Sequence, residues 1–238
     1  MRISKRKYAI TGAGRGLGAA LAIIMADEGA QLVLLGRAKP ALQTTADAIL
    51  QRSGQQFETV VCDLADRDSC SAAGQHLARA HPDLDGVIHN GAMWLSGPME
   101  HLSDIEIETC IGSAAIGSLI LTRHLLPNLV ARQSADIHMV VSTSGLLNLP
   151  LDSVSVPFKA AKFAQAGLVQ GLADELADTN VRVTAVFPGD FDNLSPLDPA
   201  WTAPALPDHQ LCCREVIEAI LFILNLPPSV TIPSLVIE

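Results

Sequence analysis

A doubly wound α/β domain, with a parallel sheet of about seven strands and helices on both faces, is the fold class this sequence predicts. Three observations carry the prediction. Short aliphatic segments without polar–apolar alternation recur along the chain, as strands buried on both faces require. Each is followed by a longer stretch with helical spacing, the order that builds right-handed crossovers. The first strand-to-helix junction, TGAGRGLG, holds four glycines in eight residues, which marks a turn too tight for side chains. A length of 238 residues fits a single large domain, residues 1–238.

The elements follow in order. KYAIT (7–11) reads as the first strand, and GLGAALAIIMADEG (16–29) as a helix stopped by glycine. QLVLLG (31–36) is the second strand, with a helical stretch behind it to about Arg52. QFETVVC (56–62) and GVIHN (86–90) are strands separated by a helix over about 66–80. Helix is expected over 103–131, apart from a break near Gly112. ADIHMVVS (135–142) is the fifth strand, a long helix runs from Ser155 to Asp178, and VRVTAVF (181–187) is the sixth strand. A helix at 213–225 and a strand near 232–237 close the chain. Sheets of this kind bind ligands beyond the carboxyl ends of their strands.

Composition narrows the function. Apolar residues make up 49% and charged residues 17% of the chain, enough for a sizeable core and too apolar for disorder. The net charge of −9 has the wrong sign for a broad nucleic-acid footprint. No uninterrupted apolar run approaches the roughly 20 residues of a membrane span. The basic start MRISKRKYAIT lacks the apolar stretch of a secretory leader. The expectation is a cytoplasmic protein with no membrane partner. Cys62, Cys70, Cys110, Cys212 and Cys213 show no C-x-x-C spacing, so they read as reduced thiols, and no metal site is expected.

In the glycine turn, Gly12, Gly14, Gly16 and Gly18 let the backbone approach a phosphate, and Leu17 lies in the first turn of the helix whose free N–H groups face it. The common dinucleotide pattern ends its second strand in an acid that holds a ribose hydroxyl. Here the strand runs into Arg37 instead, and Arg15 lies inside the turn. Guanidinium groups suit a 2′-phosphate, so NADP(H) is expected in preference to NAD(H).

With these motifs the chain resembles the short-chain dehydrogenase/reductase family, classical type, over nearly its whole length. TGAGRGLG matches that family's T-G-x-x-x-G-x-G turn, and CDLAD (62–66) its third-strand signature. HNGA (89–92) is similar to its N-N-A-G element, with the Gly-Ala order swapped, and FPGDFDN (187–193) to its P-G motif. The resemblance implies a nicotinamide cofactor held also by Asp63, Asn90, Gly91, Pro188 and Gly189, and a homodimer or homotetramer packed through the long helices.

The family's chemistry uses a Tyr-x-x-x-Lys pair, a serine and an asparagine. In VPFKAAK the lysine is Lys162, which by the resemblance holds the nicotinamide ribose, while the tyrosine position is Phe158. The asparagine position falls on Ala114, and Ser144 is the better serine, with Ser142 as the other candidate. This is an atypical active site without its usual proton donor. Loss of a general acid costs roughly 10²–10⁴ in rate, so turnover needs another proton source. Water held by Lys162 and Ser144, Asp190 or Asp192, and His89 are the candidates; Lys159 should face elsewhere. The proline-rich segment 188–212, with Phe191 and Trp201, is expected to be a substrate lid. Met93, Trp94, Leu95, Leu146 and Leu147 would supply an opposing apolar wall. The expected function is reduction of an apolar carbonyl compound, or oxidation of the alcohol. The alternative is a catalytically silent NADP(H)-binding protein, a sensor or a structural subunit. Elimination chemistry on the same scaffold is a third reading.

Overall fold

The computed structural model describes residues 2–149, 154–202 and 211–238. A seven-stranded parallel sheet forms its centre, in the spatial order β3-β2-β1-β4-β5-β6-β7. The strands are β1 (Lys7–Thr11), β2 (Gln31–Gly36), β3 (Glu58–Val61), β4 (Gly86–His89), β5 (Ala135–Val140), β6 (Val181–Pro188) and β7 (Ser234–Ile237). The strand order reverses between β1 and β4, and a crevice opens at that switch point in sheets of this class. β5 and β6 are buried at every position, which is why their sequences do not alternate.

Helices α1 (Gly16–Asp27), α2 (Lys39–Ser53) and α7 (Cys213–Asn225) cover one face. Leu21, Met25, Ile49, Val216 and Ile220 pack there on Tyr8, Ile10 and Leu34. Helices α3 (Arg67–Ala80), α5 (Gly117–Val130) and α6 (Val156–Glu175) cover the other. Cys70, Leu77, Leu121, Leu125, Leu168 and Leu172 meet Ala9, Val33, Val87 and Ile137 on that side. Asp66 caps α3 by accepting from the N–H groups of Asp68 and Ser69 at 2.8 and 2.9 Å. Ser155 caps α6 through the Phe158 N–H at 3.3 Å.

The expected break near Gly112 does not occur. Gly112 keeps helical angles, and α4 (Asp104–Ile111) runs into a π-helical segment, Gly112–Ile116, and then into α5. Packing against α6 overrides glycine's weak helix propensity. By length and composition the 27-residue stretch Asp104–Val130 reaches the span of a bilayer. Within this fold its buried residues, among them Ser118, Leu121 and Leu125, face α3 and the sheet. The five cysteines are free thiols, as expected.

Candidate active site

One cleft of about 1610 Å³ opens at the carboxyl ends of β1, β2, β4, β5 and β6. Ligand pockets commonly hold ~300–1,000 Å³, so this space suits a dinucleotide and a small substrate together. Every expected cofactor residue lines it: Gly12, Gly14, Arg15, Gly16, Leu17 and Gly18 from the turn, Arg37 after β2, Asp63 after β3, Asn90 and Gly91 after β4, and Pro188 and Gly189 after β6.

The turn is built by close approach. A β-carbon at Gly18 would stand 2.3 Å from the Gly12 carbonyl oxygen and 2.4 Å from Asn90 Nδ2, so no larger residue fits without backbone movement. Gly12 has φ +69° and faces Gly91 at similarly short range. Thr11 ties the two sides of the switch point together. Its hydroxyl oxygen accepts from the Asn90 and Gly91 N–H groups, both at 3.0 Å, and Asn90 Nδ2 donates to the Thr11 carbonyl at 3.1 Å. Arg15 starts α1 without a side-chain cap, and no acid lies in the first turn. The first N–H groups of α1 are therefore available to an anion. Among the described residues, neither Arg15 nor Arg37 has an ion-pair partner.

The family model described as short chain dehydrogenase matches residues 6–201, most of the chain. The chain belongs to the short-chain dehydrogenase family. An uncharacterized oxidoreductase of Staphylococcus aureus (strain N315) is 30% identical over 231 residues, covering 96% of this chain and 95% of the relative. The fold is shared with an alcohol dehydrogenase from the archaeon Thermococcus sibiricus, solved with 5-hydroxy-NADP, at 24% identity and a TM-score of 0.83, over 98% and 96% of the two chains. It is also shared with a metagenomic short-chain oxidoreductase solved with NADP, at 24% identity and a TM-score of 0.81, over 100% and 98%.

The other half of this short-chain dehydrogenase's cleft gathers Ser142, Ser144, Phe158 and Lys162. Phe158 and Lys162 share one face of α6, with the ammonium 5.5 Å from the ring centroid. Lys162 is buried, and its Nζ donates to Gln165 Oε1 at 2.9 Å and to the Val140 carbonyl at 3.3 Å. Burial pushes its pKa down to about 8, partly countered by the Cys110 thiol nearby. Gln165 in turn donates to the Ala114 carbonyl in the π-helical segment at 3.2 Å. Ala114 itself packs with Leu95, Cys110 and Ala161 around Phe158. Ser142 Oγ accepts from the Ser144 N–H at 3.1 Å, a contact that shapes the loop. The Ser144 hydroxyl makes no hydrogen bond within the described residues.

Three expectations about the proton source and walls change. His89 lies outside the cleft, completely buried, with Nε2 2.9 Å from Thr122 Oγ1 on α5. Burial drives its pKa down to about 4, so it stays neutral and shielded. Asp192 is also outside the cleft: its Oδ1 accepts from the Leu194 and Cys213 N–H groups, which anchors the start of α7. Asp190 does line the cleft. Lys159 turns away, donating to the Leu149 carbonyl. Met93, Trp94, Leu149, Val154 and Phe191 form the apolar wall. Leu95 instead packs behind Phe158, Leu146 packs against the core, Leu147 is exposed, and Trp201 packs against the α1–α7 side. The 203–210 part of the expected lid, including Pro204 and Pro207, lies outside the described residues.

Gln165 was not among the residues singled out in the sequence. Its position carried a signal, because 158, 162 and 165 fall on one helical face, and a fully buried glutamine needs polar partners.

Proposed function

We propose that this short-chain dehydrogenase is an NADP(H)-dependent oxidoreductase that reduces the carbonyl of an apolar small molecule with a proton donor other than tyrosine. The observation that carries this reading is the continuity of one cleft from Arg15 and Arg37 to Ser144 and Lys162. The uncapped α1 terminus and the two arginines fit a phosphate-rich nucleotide. The two structural relatives solved with NADP-type nucleotides support the same cofactor class.

The bound nicotinamide supplies the hydride. Ser144 polarises the substrate oxygen, and Lys162 keeps a positive charge beside it. Phe158 stands at the family's tyrosine position and Ala114 at its asparagine position, so neither offers a side-chain proton. The proton reaches the substrate oxygen from water held between Lys162 and Ser144. Gln165 fixes the lysine ammonium, anchored through the Ala114 carbonyl. The apolar wall selects an apolar carbonyl compound, and no second lysine or arginine among the described residues lies at that end of the cleft.

Calorimetric titration with NADPH and then NADH tests the cofactor assignment. NADPH should bind more tightly, and Arg37→Ala should weaken it by about 10–100-fold, the loss of ~1.5–3 kcal/mol for a charged hydrogen bond. NADH binding should stay within about twofold. Equal effects on both nucleotides would remove Arg37 from the 2′-phosphate.

A second reading has its own support. Phe158 and Ala114 leave the site without two of the family's catalytic side chains, as in a silent NADP(H)-binding protein. NADPH binding without NADPH oxidation across a broad carbonyl panel would establish that reading over the first.

We also infer a homodimer or homotetramer. Ala160, Ala164, Gly167 and Gly171 make an exposed stripe of small residues at helical spacing on α6, and a β-carbon at Gly167 or Gly171 would meet nothing. Ile105, Ile116 and Leu119 are exposed on the adjoining α4–α5 stretch. Light scattering behind size exclusion should give a multiple of the 25.1 kDa chain mass; a monomer at micromolar concentration would overturn this inference.

A further inference from the structure

We propose that Glu58, His76 and His81 form a binding site for a divalent transition-metal ion of the zinc class, at the end of the fold away from the cleft. The topology builds it. β3 is an edge strand and α3 returns antiparallel beside it, so the strand's first residue meets the helix's last turns. Glu58 opens β3, His76 sits near the end of α3, and His81 is the residue that ends it.

Both imidazoles aim the same nitrogen at one carboxylate. His76 Nε2 lies 2.6 Å from Glu58 Oε1, and His81 Nε2 lies 2.8 Å from Glu58 Oε2. The rings stand edge to face, 81° apart. One ligand atom from each residue falls within 4.8 Å of the other two. Two imidazole nitrogens and a carboxylate oxygen are a donor set that zinc-class ions accept at about 2.0–2.2 Å. The ion would replace the protons now shared between the nitrogens and the carboxylate, with modest movement of side chains that have room to move. His76 and Glu58 are 44% and 40% exposed, and His81 is 15% exposed, so solvent can reach the site and water can complete the coordination.

The electrostatics favour a cation. The C-terminus of α3 adds partial negative charge. The nearby cation Lys7 is already paired with Asp83 at 2.7 Å. A bound ion would staple α3 to the sheet's edge strand, whose other end leads to Cys62 and Asp63 at the cleft.

The test is calorimetric titration of the chelator-treated full chain with Zn²⁺ near neutral pH, repeated with Co²⁺ under an absorption readout. The expected result is one ion per chain, a rise in Tm on binding, and a Co²⁺ spectrum with no thiolate charge-transfer band. His76→Asn and His81→Asn should each weaken binding about tenfold or more, while the metal-free Tm of each stays near that of the parent. Absence of binding overturns the proposal. So does binding that both variants leave intact, or a thiolate band, which would move the ion to the cysteines.

Discussion

Replacing Lys162 with methionine is expected to lower NADPH-dependent carbonyl reduction by about 10²–10⁴-fold, the range for loss of acid–base assistance. The side chain is 5% exposed, and among the described residues its ammonium donates to Gln165 and the Val140 carbonyl. Methionine matches its length but removes the charge. Two acceptors then lose their donor, at roughly 1–3 kcal/mol each where no water replaces it. The variant should therefore be less stable yet folded, and the rate comparison belongs at a temperature well below both transitions. Stopped turnover with NADPH affinity largely kept would place Lys162 in proton delivery. Turnover retained within about threefold would shift that role to Ser144 or Asp190.

The pH profile gives an independent check, because the contributions of Lys162 to activity and to stability move in opposite directions. Lys162 in the fold loses its proton near pH 8, whereas an unfolded lysine keeps it to about 10.4. Reduction consumes a proton, so the rate should fall as pH rises through about 8. Between about 8 and 10.4 the unfolded chain binds the extra proton, so this group makes stability rise with pH. Relative to Lys162→Met, the parent should gain stability over this range while its rate falls, so the loss of rate cannot be assigned to unfolding. Lys162→Met should lose both trends.

The central strands were legible because burial on both faces leaves uninterrupted aliphatic runs, bounded by glycine or a polar turn. The glycine-turn end of the cleft was legible for a related reason. Its residues sit where strands end, and the glycine turn admits few alternatives once Gly18 must clear Gly12 and Asn90. The errors came from orientation. His89 and Asn90 are neighbours, but strand side chains alternate, so Asn90 reaches β1 while His89 points into α5. Asp192 looked like a loop acid because the N–H it accepts, that of Cys213, is 21 residues away. Gly112 read as a break because a local glycine signal says nothing of the packing that holds the π-helical segment against α6. The Glu58–His76–His81 cluster was hidden by spacing, since only the return of α3 along β3 brings it together.

Asp136→Ala is expected to cost about 3–5 kcal/mol, the penalty for leaving a buried charge unpaired. At ~2–4 °C per kcal/mol for a chain of this size, Tm should fall by roughly 10 °C. Asp136 is the second residue of β5, with its side chain 1% exposed. It accepts from Arg2 Nη1 at 2.9 Å, Arg182 Nε at 2.9 Å and the Tyr8 hydroxyl at 3.0 Å, with Arg6 at 3.5 Å. Arg182 is itself 5% exposed and also donates to the Leu224, Leu226 and Val230 carbonyls near the end of α7. One carboxylate thus joins the N-terminal segment, β1, β5, β6 and α7, at the end of the sheet opposite the cleft. Without it, Arg182 keeps carbonyl acceptors but loses its countercharge, and the Tyr8 hydroxyl loses its acceptor. Adding Arg182→Leu to the alanine variant removes the stranded guanidinium, so the double variant should lose less than the sum of the two singles. Urea unfolding should show a lower midpoint with an unchanged slope. An unaltered midpoint in Asp136→Ala would mean that the backbone carbonyls alone hold Arg182, and that the carboxylate adds nothing to the closure of the sheet.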